Sequence, residues 1–294
     1  MADVFQKILV ATDLSDASER MACSLGELKA LGTKDIVLLH CINIRDVGTL
    51  ASQLIKAAEP HFRKQQIFLE NRGFSVTPKI ALGLPQIEIN RQAEEHDCSL
   101  IVVGSRGGTM AKEILLGGVA SEVVHGASKP VLILRVGIHE EKGDAVCIME
   151  KCSPLGHILF PTDFSDNAEH AYSHLKKFAE KGAEKITLLH VQDEVRIGKH
   201  LMEKLDEFNR IDSGRLGRMK EELLRCGAKE VNTEIVFGNP KKILVDKVKA
   251  NGYSLVLLGS QGRGYIGQFF MGSVSLAVAR QSIIPVLLVP AAVC

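Results

Sequence analysis

Three glycines and a serine at fixed offsets carry the densest chemical signal in this sequence. Gly259, Gly262, Gly272 and Ser273 follow the spacing G-x2-G-x9-G-S directly after the apolar run 254–258. An apolar run rich in β-formers that stops at a glycine reads as a buried strand entering a loop; Ser273 followed by Val274, Ala277 and Val278 reads as a capped helix. Strand, glycine loop and helix start together suit a phosphate. The first N–H groups of a helix lack internal partners, the helix dipole favours an anion there, and glycines keep side chains out of the way. Ser275 adds a second hydroxyl to the one on Ser273. Two readings stay open at this point: Ser273 is either a phosphate ligand or an N-cap with nothing bound, and Arg263 is either a phosphate partner or a solvated loop charge.

The same text occurs twice. I-L-V-A-T-D-L-S-D at 8–16 is answered by I-L-F-P-T-D-F-S-D at 158–166, an offset of 150, and His40 by His190 at that offset. Gly104, Gly107, Gly117 and Pro130 are answered by Gly259, Gly262, Gly272 and Pro285 at an offset of 155. Five residues are therefore added between the second and third strands of the later copy, and its long helix, about 198–226, is the expected place. A period this long fits two whole domains rather than a solenoid, as does the length of 294 residues. The expected boundaries are 1–137 and 157–294, with 138–156 as an aperiodic linker of Gly, Pro and mixed charge.

Within the first copy, apolar runs at 7–11, 35–41, 77–82, 99–103 and 130–134 read as strands, separated by helical periodicities that include a long stretch at 50–71 punctuated by Pro60. Strands alternating with helices imply a parallel sheet with helices on both faces. Ligands in such sheets sit where the strand order reverses, outside the carboxyl ends.

The glycine spacing, the two T-D-x-S-D strand ends and the repeat together resemble the universal stress protein family in its tandem, ATP-binding form. The resemblance covers both halves almost end to end. It implies two Rossmann-like (adenine nucleotide α-hydrolase-like) α/β domains, each a five-stranded parallel sheet of order 3-2-1-4-5, with ATP across the ends of strands one and four. It also implies that the fifth strands pair into an intramolecular pseudo-dimer, with further homodimerisation left open. Carried onto this sequence, the second-half site comprises Pro161, Asp163, Val191, Leu258, Gly259, Gln261, Gly262, Arg263, Gly272, Ser273, Val274 and Ser275. The first-half counterparts are Ala11, Asp13, Cys41, Val103, Gly104, Arg106, Gly107, Gly117, Gly118 and Val119. Asp163 is expected on the adenosine moiety, and its alternative is a helix-capping carboxylate. Val191 and Cys41 take the adenine-side position.

The first half departs from the pattern because Gly118 and Ala120 replace both serines. Each lost hydrogen bond to a charged phosphate costs about 1.5–3 kcal/mol, and Arg106, opposite Gln261, supplies a partly compensating cation. Unequal sites are expected: the second half binds ATP, and the first binds more weakly or prefers fewer phosphates.

Thirty-six Lys plus Arg against thirty-five Asp plus Glu leave no basic field for nucleic acid or anionic membrane. The seven cysteines are odd in number and scattered, as expected of free thiols in a reducing, cytoplasmic setting. No Walker A motif, no S-G-G-x-D-S and no G-x-G-x-x-G after the first strand occurs, and neither a metal set nor a catalytic triad assembles. The expected function is a nucleotide-binding stress-response regulator or switch without efficient catalysis, holding ATP, AMP or ADP with or without magnesium. The alternatives are a slow magnesium-dependent ATPase, or a scaffold whose first domain has lost its nucleotide.

Overall fold

Runs of Ile, Leu and Val that alternate with amphipathic helices produce strands buried on both faces. Ile8, Leu9 and Val10 are at most 1% exposed, and burying each such side chain contributes about 1.5–3 kcal/mol. The computed structural model describes residues 5–43, 50–105, 116–138, 145–147, 153–198, 203–250, 252–262 and 271–292. The chain divides into two units, Met1–Cys152 and Ser153–Cys294.

In the first unit the strands are β1 (Lys7–Thr12), β2 (Asp35–Asn43), β3 (Ser75–Gly83), β4 (Leu100–Gly104) and β5 (Val131–Leu134). All pair in parallel, β3 with β2, β2 with β1, β1 with β4 and β4 with β5. This is the order 3-2-1-4-5. It reverses between β1 and β4, so a crevice opens at their carboxyl ends. The helices are α1 (Asp16–Ser24), α2 (Ala51–Asn71), α3 (Pro85–Glu95) and α4 (Gly118–Gly126). α1 packs with α2, and α3 with α4. α2 continues past Pro60, which does not interrupt it. Proline lies on the exposed side there, where water can take the carbonyl left without its N–H.

A short antiparallel hairpin, β6 (Val136–Ile138) with β7 (Ala145–Cys147), follows within the first unit, and β7 lies against α1. The stretch expected as an aperiodic linker thus holds structure. Three-residue strands are too short to show alternation in sequence.

The second unit repeats the plan with β8 (His157–Thr162), α5 (Asp166–Glu180), β9 (Lys185–Asp193), α6 (Glu194–Ile197), α7 (Leu205–Cys226), β10 (Glu230–Gly238), α8 (Pro240–Lys249), β11 (Leu255–Gly259), α9 (Ser273–Gln281) and β12 (Val286–Val289). Its parallel pairs give β10-β9-β8-β11-β12, the same order. The extra residues do not lie in the long helix as expected. α7 has 22 residues against 21 in α2, so all but one of the additions precede it, where the chain makes α6. A connection absorbs added chain without disturbing the packing period of a helix.

Candidate functional site

Each crevice is built from a tight turn after the first strand and a helix start after the fourth. In the second unit Asp163 follows β8, and Phe164 next to it has φ 58°, a left-handed conformation. Asp163 Oδ1 accepts from the backbone N–H of Ser165 at 3.1 Å and from its hydroxyl at 2.6 Å, the turn in which an Asp side chain mimics backbone. The cap of α5 belongs to Ser165, whose Oγ accepts from Ala168 N–H at 3.3 Å. Asp163 is therefore not the capping residue. The first unit reproduces every part. Asp13 Oδ1 accepts from Ser15 N–H at 3.1 Å and its hydroxyl at 2.6 Å, Leu14 has φ 61°, and Ser15 caps α1.

On the other side of the crevice, Gly272 N–H donates to the Ser260 carbonyl at 2.7 Å, and Leu276 N–H makes the first helical bond, to Gly272, at 2.9 Å. Ser273, Val274 and Ser275 thus present N–H groups ahead of the first helical bond. The counterpart is Gly117 N–H on the Ser105 carbonyl at 3.0 Å and Ser121 N–H on Gly117 at 2.9 Å, which places Gly118, Val119 and Ala120 in the same role.

Three readings of single residues change here. Gly272, not Ser273, is the N-cap of α9, and it caps with no side chain; Ser273 is the first helical residue and is exposed. The Ser275 hydroxyl is 6% exposed as a residue and donates to the Gly259 carbonyl at 2.8 Å, so it ties helix to strand and is spent as a phosphate donor. Gly272 N–H is likewise committed. Gly259 also has a packing reason to lack a side chain, because an added Cβ would stand 3.1 Å from the Asn167 carbonyl of α5.

Gly262 and Gly272 join the two sides. A Cβ on Gly262 would stand 3.1 Å from Asp163 Oδ2, and one on Gly272 would stand 3.4 Å from Gly262 N. The structure therefore brings Asp163, Gly262, Gly272 and the α9 start together. Pro161 pairs with Leu189 within the sheet, and Val191 lies one residue beyond the Thr162–His190 pair. Leu258 and Gln261 are 4% and 8% exposed, which leaves mainly their backbone to a ligand. Arg106, Gly107 and Arg263 lie outside the described residues.

In the first unit the crevice is a cavity of about 250 Å³. Its walls contain every first-half candidate among the described residues: Ala11 and Asp13, Cys41, Val103 and Gly104, and Gly117 to Val119. It is further lined by Thr12, Met21, Pro85 and Ile89, which sequence reasoning missed. Pro85 and Ile89 share one face of α3 at i, i+4, a signal that was available. Burial, and secondarily the Glu88 carboxylate, push the Cys41 thiol up to about 12. Nothing among the described residues lies within 4 Å of a Cβ added at Gly118. Among the described residues no three His, Cys, Asp or Glu side chains group as a metal site, and no helix is long and apolar enough to cross a membrane.

The model of the universal stress protein family matches the chain twice, over residues 5–135 and 154–290. This chain belongs to the universal stress protein family. Universal stress protein MJ0577 of Methanocaldococcus jannaschii is 30% identical over 158 residues, which cover 46% of this chain and 98% of that one. A universal stress protein of Mycolicibacterium smegmatis is 28% identical over 227 residues, 75% of this chain and 70% of that one. The crystal structure of a universal stress protein from Archaeoglobus fulgidus DSM 4304 matches with a TM-score of 0.72 at 27% identity, covering 96% of this chain and 97% of that one. One matched segment falls in each unit.

Proposed function

We propose that this universal stress protein binds adenine nucleotide in each domain and acts as a stress-response switch without efficient catalysis. The observation that carries the reading is the meeting of an oriented carboxylate with the open end of a helix. In the second domain Asp163 Oδ2 faces Gly262, and Gly262 abuts Gly272 at the start of α9. A carboxylate suits ribose or base donors, and unbonded helix N–H groups suit phosphates.

The residues fit the ligand. The first-domain cavity, at about 250 Å³, is near the lower end of small-molecule pockets, roughly 300–1,000 Å³, and Gly118 lines it without a side chain. Asp13 and Cys41 would hold the nucleoside there, with Gly118 and Val119 toward the phosphates. In the second domain Asp163 and Val191 would hold the nucleoside, and Ser273 and Val274 the phosphates. A bound nucleotide supplies a phosphate tail whose length distinguishes two states of the protein. The switch reading is supported by the donor set, since the second-domain segment 259–275 offers main-chain groups, the Ser273 hydroxyl and one cation, Arg263. Phosphoryl transfer calls for several cations and a group that positions water.

Nucleotide released from the purified protein by heat, identified by mass spectrometry, and an ADP-release assay with magnesium test this reading. Intact ATP or AMP is expected, and Gly272→Val should abolish second-domain binding by driving a branched side chain against Gly262. Turnover on the order of 10 per second would overturn the switch, and absence of binding at millimolar nucleotide would overturn the site.

A further inference from the structure

Phe164 adopts a conformation that costs a bulky L-residue energy and that persists only where its surroundings enforce it. Its N–H donates to Thr162 Oγ1 at 3.0 Å. Its ring lies against the His190 imidazole, with centroids 4.5 Å apart and planes at 36°. The Arg215 guanidinium sits over the same ring, 5.2 Å from its centroid. Asp212 stands between the two flanking groups, with Oδ2 3.5 Å from His190 Nε2 and Oδ1 3.8 Å from Arg215 Nη1. Gln192 Nε2 donates to Asp212 Oδ2 at 3.0 Å, and His190 Nδ1 donates to the Thr162 carbonyl at 2.8 Å. Four side chains thus form a closed ring, Arg215–Phe164–His190–Asp212, that fastens α7 to the turn carrying Asp163. Asp212 is only 9% exposed, and a carboxylate is tolerated at such depth only with partners of this kind.

The first domain makes the same turn without this ring. Leu14 has no aromatic face to clamp, and its N–H donates to Thr12 Oγ1 at 3.1 Å. The Thr12 hydroxyl in turn donates to Gln65 Oε1 at 2.8 Å, beside Ser18. The His40 ring there stands 6.4 Å from Phe62. One corner is therefore closed by neutral hydrogen bonds, the other by aromatic contacts and the Asp212–Arg215 pair of α7.

We propose that Asp212, Arg215 and His190 are positioning residues for the second nucleotide site, holding Phe164 left-handed so that Asp163 stays aimed across the crevice at Gly262. This rests on the nucleotide reading of Asp163. None of the three is required to touch the ligand, and their effect is confined to the second domain.

Hydrogen–deuterium exchange of the full chain, titrated with ATP, reads each domain separately through peptides spanning the first-strand turn and the helix start after the fourth. Phe164→Ala and Asp212→Ala should raise the ATP concentration for half-protection in the second domain about tenfold, leaving first-domain peptides unchanged. Arg215→Gln, at a half-exposed position that folding tolerates, should raise it about threefold. Phe164→Gly should recover most of the loss seen with alanine, because glycine enters the left-handed region without steric cost. Wild-type protection in Phe164→Ala and Asp212→Ala, alongside weakened binding in Asp163→Ala, overturns the positioning role and leaves the site intact. Equal losses with alanine and glycine, or losses shared by both domains, overturn it as well. Wild-type protection in Asp163→Ala overturns the nucleotide reading itself.

Discussion

Replacing Gly118 with serine should give the first domain the phosphate grip that it lacks. Gly118 is the first residue of α4, and among the described residues nothing lies within 4 Å of an added Cβ there, so the side chain enters without moving any of them. Ser273 occupies the same place in the second domain and is exposed at the start of α9. A hydrogen bond to a charged acceptor contributes about 1.5–3 kcal/mol, and immobilising one short side chain returns a few tenths of that. A net gain of about 1–2.5 kcal/mol corresponds to roughly 5- to 70-fold tighter ATP. Serine also suits a helix better than glycine, by roughly 0.5 kcal/mol, but that gain is common to the free and bound protein and leaves affinity alone. Competition binding of ATP and adenosine, read on first-domain peptides by hydrogen exchange, separates the terms: ATP should tighten and adenosine should not. Equal tightening of both ligands, or of neither, would refute the idea that this hydroxyl meets phosphate. Ala120→Ser is the matching control. The hydroxyl at that place in the second domain reaches a strand carbonyl, so stability should rise without a change in the ATP to adenosine ratio.

Two further outcomes follow from the second domain. Ser275→Ala removes the buried bond to the Gly259 carbonyl and should cost about 1–2 kcal/mol, lowering the melting temperature by roughly 3–8 °C; an unchanged thermal transition would mean that the carbonyl has another donor. His174 on α5 is held down to about 4, first by burial and then by Lys177 and His170. Because its folded value is depressed, the unfolded chain takes up the proton first, so stability falls as pH drops from about 6.5 toward 4, by on the order of 3 kcal/mol. Denaturant unfolding of His174→Leu should lose that acid sensitivity, and retention of it would assign the effect elsewhere.

The fold was legible because its signals are local and repeated. Glycines, the T-D-x-S-D strand ends and the apolar runs each fix one element, and the offsets of 150 and 155 align the two copies. Which donors remain available was not legible. Ser273 and Ser275 look alike in sequence, yet one is exposed and the other bonded to Gly259, a difference set by the helix turn between them. The left-handed turns at Leu14 and Phe164 were hidden because neither residue type favours them; tertiary contacts impose the conformation. Asp212 was invisible for a related reason. It lies in a helix rich in charged residues, and only the packing of α7 shows that this one turns inward. The insertion was misplaced because the helical period extends backward into the connection before α7.

The Cys41 thiol forms part of the first cavity wall. With its ionisation pushed up to about 12, roughly one molecule in 10⁵ carries a thiolate at neutral pH. Peroxide attacks the thiolate, so this sulfur stays off the path to sulfenic acid. This wall residue should therefore stay reduced at peroxide levels that oxidise ordinary exposed thiols.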